Sequence, residues 1–96
     1  MHTAYTEYEF DPAKAEANWR KHKVRFLNAM EALSDPLATT AEDVTSQGEQ
    51  RFITLGCDHN GRVLYVVHNP RGNRTRLISA RKASKGEAKA YHAQEN

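Results

Sequence analysis

The stretch RVLYVVHNPRGNRTRLISARKA, residues 62–83, decides the fold. Its first half holds the longest unbroken apolar run in the chain, Val63-Leu64-Tyr65-Val66-Val67. Its second half interleaves cations with apolar residues: Arg74, Arg76, Leu77, Ile78 and Arg81. The turn residues Pro70-Arg71-Gly72-Asn73 lie between them, so the stretch reads as two strands of an antiparallel hairpin. One step outward, Arg51–Gly56 reads as a further strand, joined through Asp58-His59-Asn60-Gly61. Asn-Gly is the strongest short hairpin signal, because both residues tolerate the positive φ of a type I′ turn. On the other side, Ser84 and Glu87 have capping-box spacing, and Ala88–Ala93 follow as a helix.

The N-terminal half supplies the helices. Tyr5–Phe10 alternates aromatic and polar residues and reads as a short strand. Asp11-Pro12 marks a helix start, because the carboxylate can accept from a free backbone N–H and proline at the first position loses no bond. Ala-rich sequence carries this helix to about His22, with Glu16 and Arg20 placed to pair. Phe26, Met30 and Leu33, with Ala29 beside them, form one face of a second helix that Ser34-Asp35-Pro36 ends. Thr39–Gly48 is polar and acidic and reads as a surface loop. The order β-α-α-β-β-β-α makes residues 1–96 one α+β domain, a mainly antiparallel sheet covered by helices on one face.

Turn lengths sort the sheet into faces. A two-residue Asn60-Gly61 turn sets Leu55 opposite Val66, Cys57 opposite Leu64 and Ile53 opposite His68. An even-length turn around Arg71-Gly72 sets Val66 opposite Leu77, Tyr65 opposite Ile78 and Val67 opposite Arg76. The core face is then Ile53, Leu55, Cys57, Leu64, Val66 and Leu77. The open face is Phe52, Thr54, Val63, Tyr65, Val67, Arg74, Arg76 and Ile78. A three-residue loop with a bulge would instead turn the last strand over. Cations beside an aromatic ring suit RNA, since guanidinium takes phosphate and a ring stacks a base.

Charge points the same way. Residues 1–61 hold six Lys/Arg against ten Asp/Glu, and residues 62–96 hold eight against two. A cationic C-terminal half suggests a polyanionic partner. The lone cysteine, Cys57, permits no intrachain disulfide, and neither a membrane span nor a secretory signal is visible, so a cytoplasmic chain is expected. His2, His22, His59, His68 and His92 make no H-x-x-x-H pair, which argues against a metal site. No G-x-S-x-G, Walker or dinucleotide-binding loop is present. His22, in Arg20-Lys21-His22-Lys23, suits either a helix C-terminus or a phosphate site. His68 reads as a hydrogen-bonded structural histidine, Glu49 and Arg51 as a surface pair, Glu87 as the capping acid and Tyr91 as a packing residue.

Collinear motifs from Tyr8 to Tyr91 resemble the BrnT family of type II toxins, in the RelE-like ribonuclease group. They are Phe10-Asp11-Pro12-Ala13-Lys14-Ala15, Asn18, Arg20-Lys21-His22, Val24 and Phe26; then Asp35-Pro36-Leu37, Gly48-Glu49 and Arg51–Gly56; then Val66-Val67-His68, Arg76, Ile78–Ala83, Glu87 and Tyr91. Two positions and one helix depart. Lys23 stands where the family tends to have Gly, Arg25 where it tends to have Ser, and the last helix carries fewer cations than usual.

The resemblance implies a RelE-like fold and a metal-independent endoribonuclease, without cofactor, that inhibits translation. It also implies a ribbon-helix-helix (BrnA-like) antitoxin, with DNA reached only through that partner. The reaction would be attack of a ribose 2′-oxygen on the adjacent phosphate, which needs a proton acceptor, charge stabilisation and a proton donor. Arg76 and Arg81 are expected to stabilise charge, and His22 and Tyr91 to transfer protons. Arg74, Lys82, Tyr65 and Arg51 are expected to hold RNA. Arg76 and Arg81 stand five apart, so strict alternation puts them on opposite faces unless a bulge intervenes. The alternative is a catalytically weak or inactive RNA- or antitoxin-binding module acting in operon regulation.

Overall fold

The computed structural model describes residues 7–94. Helix α1 (Pro12–His22) begins as the Asp-Pro pair dictates, with Asp11 accepting from the Ala13 N–H at 2.9 Å. It ends at Lys23, a left-handed residue with φ 58°, whose N–H donates to the Trp19 carbonyl. A side chain in that conformation costs about 1 kcal/mol, and glycine would avoid the cost. Helix α2 (Phe26–Leu33) buries Phe26, Ala29 and Ala32.

Five strands form one sheet in the order β1-β5-β4-β3-β2. They are β1 (Tyr8–Glu9), β2 (Thr39–Glu42), β3 (Phe52–Cys57), β4 (Val63–Arg71) and β5 (Arg74–Lys82), and helix α3 (Lys85–Ala93) follows. β1 is the expected N-terminal strand, shorter than Tyr5–Phe10; Tyr5 and Thr6 lie outside the described residues. It pairs parallel to β5, with Glu9 beside Arg76. Thr39–Gly48 is not wholly a loop. Its first four residues pair antiparallel with β3, so the observed order is β-α-α-β-β-β-β-α. The strand escapes a sequence reading because all four of its residues are exposed and none is apolar beyond alanine.

Both turns differ from expectation, and each difference has a local cause. Between β3 and β4, Asp58 N–H donates to the Arg62 carbonyl at 2.9 Å, and only Gly61 has a positive φ. The buried Asp58 carboxylate accepts from the N–H groups of Asn60 and Arg62 and from Arg62 Nε. The loop therefore has three residues with Gly61 left-handed, and a type I′ turn is excluded. Leu55 consequently faces Tyr65 rather than Val66. Thr54 and Gly56 point to the core with Leu64 and Val66, while Ile53, Leu55 and Cys57 occupy the opposite face. Between β4 and β5 the turn is Gly72-Asn73, one residue later than expected, with Arg71 opposite Arg74. The pairing then slips: His68 faces Leu77 and Val67 faces Ser79, so Ile78 is a bulge residue.

The core lies between this sheet and the first two helices, built from Val24, Phe26, Ala29, Ala32, Leu64, Val66, Leu77 and Ala80. Gly56 lets α2 approach β3 closely, since a Cβ there would stand 2.2 Å from the Ala32 carbonyl oxygen. α1 and α2 thus cover one face as expected. α3 lies against the other, anchored by Arg81 to Glu87 near its start and by the Tyr91 hydroxyl to Asp35 near its end.

One side chain finishes the sheet. Beyond the short β1, the outer edge of β5 is closed by Asn18. Its Oδ1 accepts from the Ala80 N–H at 3.0 Å, and its Nδ2 donates to the Ala80 carbonyl at 2.9 Å and to the Val24 carbonyl at 2.9 Å. The amide behaves as a one-residue strand, leaving no unpaired backbone polar group in the core at that point.

Candidate nucleic-acid interface

The bulge at Ile78 decides the site. Arg76 lies opposite Asn69 and Arg81 opposite Tyr65. Asn69 and Tyr65 are four residues apart on β4, so both arginines rise from the face opposite the core, about 13 Å apart along the strand. Arg74 shares that face, as do Arg71 and, by alternation along β3, Arg51. Lys82 pairs with Leu64 and so shares the core-facing phase at the strand's end, on the opposite face from Arg76.

The two arginines have different surroundings. Arg81 forms a bidentate pair with Glu87, at 2.9 and 3.1 Å, and its guanidinium stacks 3.8 Å from the Tyr65 ring centroid. Those hydrogen bonds hold Glu87 at a pKa of about 2 and raise that of Arg81. Ser84 N–H also donates to Glu87, which completes the expected capping box. Arg81 is therefore built into the anchorage of α3, and Tyr65 has one ring face covered. Arg76 is about as exposed as Arg81, 40% against 38%, but makes one long contact of 3.4 Å to Glu9.

Arg76 lines a cleft of 360 Å³ with Glu9, Asp11, Lys14, Glu49 and Arg51. A second hollow of 260 Å³ shares Lys14 and Ile78 with it and adds Lys21, His22 and Ser79. The two hollows adjoin at the β5 edge through Lys14 and Ile78, with Arg51, Arg76, Glu9, Asp11 and Glu49 in the first and Lys21 and His22 in the second. Asn69, beside Arg76 in the ladder, is buried and its Oδ1 has no hydrogen-bond partner. Glu9 and Lys14 were not legible as site residues, because the parallel β1–β5 pairing that brings them to Arg76 leaves no local pattern.

Tyr91 is elsewhere. It is 3% exposed, and its hydroxyl donates to Asp35 beyond the end of β3, two strands from β5. Asp35 also accepts from the Leu37 and Cys57 N–H groups. Burial acts to raise the Asp35 pKa, but these three hydrogen bonds outweigh it and hold the group below its usual range. The structure does not bring Tyr91 and His22 together. His68 sits under the sheet with Nε2 2.8 Å from Thr54 Oγ1, and burial lowers its pKa. Among the described residues, no three His, Cys, Asp or Glu side chains converge as a metal-ligand set, and no helix is long and apolar enough to cross a membrane.

The Glu87 carboxylate makes stability pH-dependent. Its folded pKa lies below the ordinary value of 4.5, so its contribution is fully present above that value and is lost as pH falls towards about 2. Allowing for solvent screening, Glu87→Gln is expected to cost about 1–2 kcal/mol at pH 7 and to flatten the acid limb between pH 5 and 2. Denaturant melts across that range measure both effects.

Residues 10–87 match the family described as ribonuclease toxin, BrnT, of type II toxin-antitoxin system. Among solved structures, the fold is similar to that of the Brucella abortus ribonuclease toxin BrnT. The TM-score is 0.59 with 24% identity, over 79% of this chain and 94% of the other. No curated protein sequence matches the chain.

Proposed function

Since the chain belongs to the BrnT family of ribonuclease toxins of type II toxin-antitoxin systems, we propose that it is an endoribonuclease that cleaves RNA without a metal ion and inhibits translation. Membership implies an RNA substrate and a protein antitoxin. The reading extends this to an antitoxin of ribbon-helix-helix type that carries any DNA binding, and to action in the cytoplasm.

The observation that carries the reading is the groove around β5, where Arg51, Arg76, Lys14, Lys21 and His22 line adjoining hollows. In the proposed reaction the 2′-oxygen attacks phosphorus, the bond to the 5′-oxygen breaks, and a 2′,3′-cyclic phosphate and a 5′-hydroxyl result. Arg76 balances the charge that develops on the phosphoryl oxygens, and Arg51 and Arg74 hold flanking phosphates. The carboxylates Glu9 and Glu49 in the cleft are placed to accept the 2′-proton. His22 is the candidate donor to the leaving oxygen, one hollow along. Arg81 stabilises the α3 platform and Tyr91 fixes its far end, so neither contacts the reacting phosphate in this reading.

Cleavage of a long single-stranded RNA in excess chelator tests the chemistry. Activity should be undiminished, with cyclic phosphate at the new ends; abolition by chelator would sink the metal-free mechanism. A non-cleaving module is the second reading, favoured by one observation: Arg76 and Arg81 both rest against carboxylates, Glu9 and Glu87. Intact RNA, bound but uncut by the wild-type protein, would establish it.

A further inference from the structure

One edge of the sheet is closed and the other is open. The β5 edge is covered by β1 and by the Asn18 amide, whereas β2 has no neighbour on its outer side among the described residues. Asp43 N–H donates to the Arg51 carbonyl at 2.8 Å, and residues 39 and 41 share its inward phase. The backbone N–H and C=O groups of Thr40 and Glu42 therefore point outward. The close Thr40–Thr54 hydroxyl contact, 2.7 Å, fits the non-hydrogen-bonded pairing this assigns. β2 has no lysine, proline or bulge; its edge protection is confined to its four-residue length and the charge of Glu42. Exposed Leu37 and Val44 stand just beyond its two ends.

Charge identifies what fits there. The edge itself carries the carboxylates Glu42 and Asp43, and no lysine, arginine or histidine stands between Phe26 and Gln50. RNA is repelled from such an edge, and a basic polypeptide is attracted to it. We infer that β2 takes up an extended, cationic segment of the antitoxin by strand addition, with main-chain bonds to Thr40 and Glu42 and apolar contacts to Leu37 and Val44 at the ends. This rests on the toxin-antitoxin reading above. It places the antitoxin on the sheet edge opposite the β5 groove, so this contact does not itself fill the RNA site.

The test uses the toxin together with the protein encoded by the adjacent reading frame. In hydrogen exchange, the amides of Thr40 and Glu42 should slow at least tenfold on complex formation. Glu42→Pro removes one outward N–H at a position where an edge strand accommodates proline. It should weaken the complex at least tenfold while RNA cleavage by the free toxin stays within twofold of wild type. Unprotected amides in a complex that forms normally, or a Glu42→Pro affinity within twofold, overturn the inference alone. Protection already present in the toxin alone, rising with its concentration, overturns it in favour of a second copy. Failure of the wild-type proteins to associate overturns the antitoxin reading and this inference with it.

Discussion

Arg76→Ala should lower RNA cleavage by about a hundredfold or more, the usual cost of removing one preorganised charge-stabilising donor from a site of this type. Stability should change little. The partner of Arg76 among the described contacts is Glu9, at a long 3.4 Å and with the side chains 40% and 32% exposed, and partly exposed pairs of this kind contribute about 0–1 kcal/mol. Arg76→Lys keeps the charge and loses the planar fork, so it should recover part of the rate. Paired cleavage assays and thermal melts decide the matter. A rate loss accompanied by a drop of several kcal/mol would make Arg76 a structural residue, and an unchanged rate would move the chemistry out of the β5 groove.

The largest effect on folding is expected at Gly56. Its backbone needs no special conformation, but space is absent: a Cβ would meet the Ala32 carbonyl oxygen at 2.2 Å and its carbon at 2.9 Å. Both atoms are backbone, so α2 as a whole must lift off β3 and loosen its contacts with Leu64 and Val66. Gly56→Ala should therefore cost about 3 kcal/mol or more, at the upper end for overpacking. Gly86→Ala is the internal comparison. It lies in the first turn of α3 with nothing within 4 Å, and should stabilise by up to about 1 kcal/mol through helix propensity. Denaturant titration of the two variants measures the contrast; equal behaviour would mean that α2 and β3 do not meet as described.

Local chemistry made most of the elements legible. Asp11-Pro12 and Ser84-x-x-Glu87 each start a helix where the spacing says, and the apolar run Val63–Val67 is a strand whose Leu64 and Val66 are buried. What escaped was set by groups acting across turns. The side chain of Asp58 gathers the N–H groups of Asn60 and Arg62 and lengthens the loop to three residues, and that single residue exchanges the two faces of β3. Gly56 looked like a strand terminus and is the contact point for a helix. Of the expected site residues, Arg51, Arg74 and Arg76 share the sheet face opposite the core, and His22 lines the adjoining hollow at the β5 edge. Arg81 and Tyr91 are engaged in holding α3, and Tyr65 is stacked on Arg81, which needed knowledge of which face α3 takes.

The extra residue at Ile78 has a genetic corollary. Arg76 and Arg81 are in phase only because β5 carries one residue more than β4 between them. Loss of one codon from Leu77–Ser79 would leave the charge of the chain unchanged, yet it would rotate either Arg81 out of its pair with Glu87 or Leu77 out of the core. The segment thus tolerates exchange of side chains better than any change of length, and relatives that align here should vary in letters without gaps.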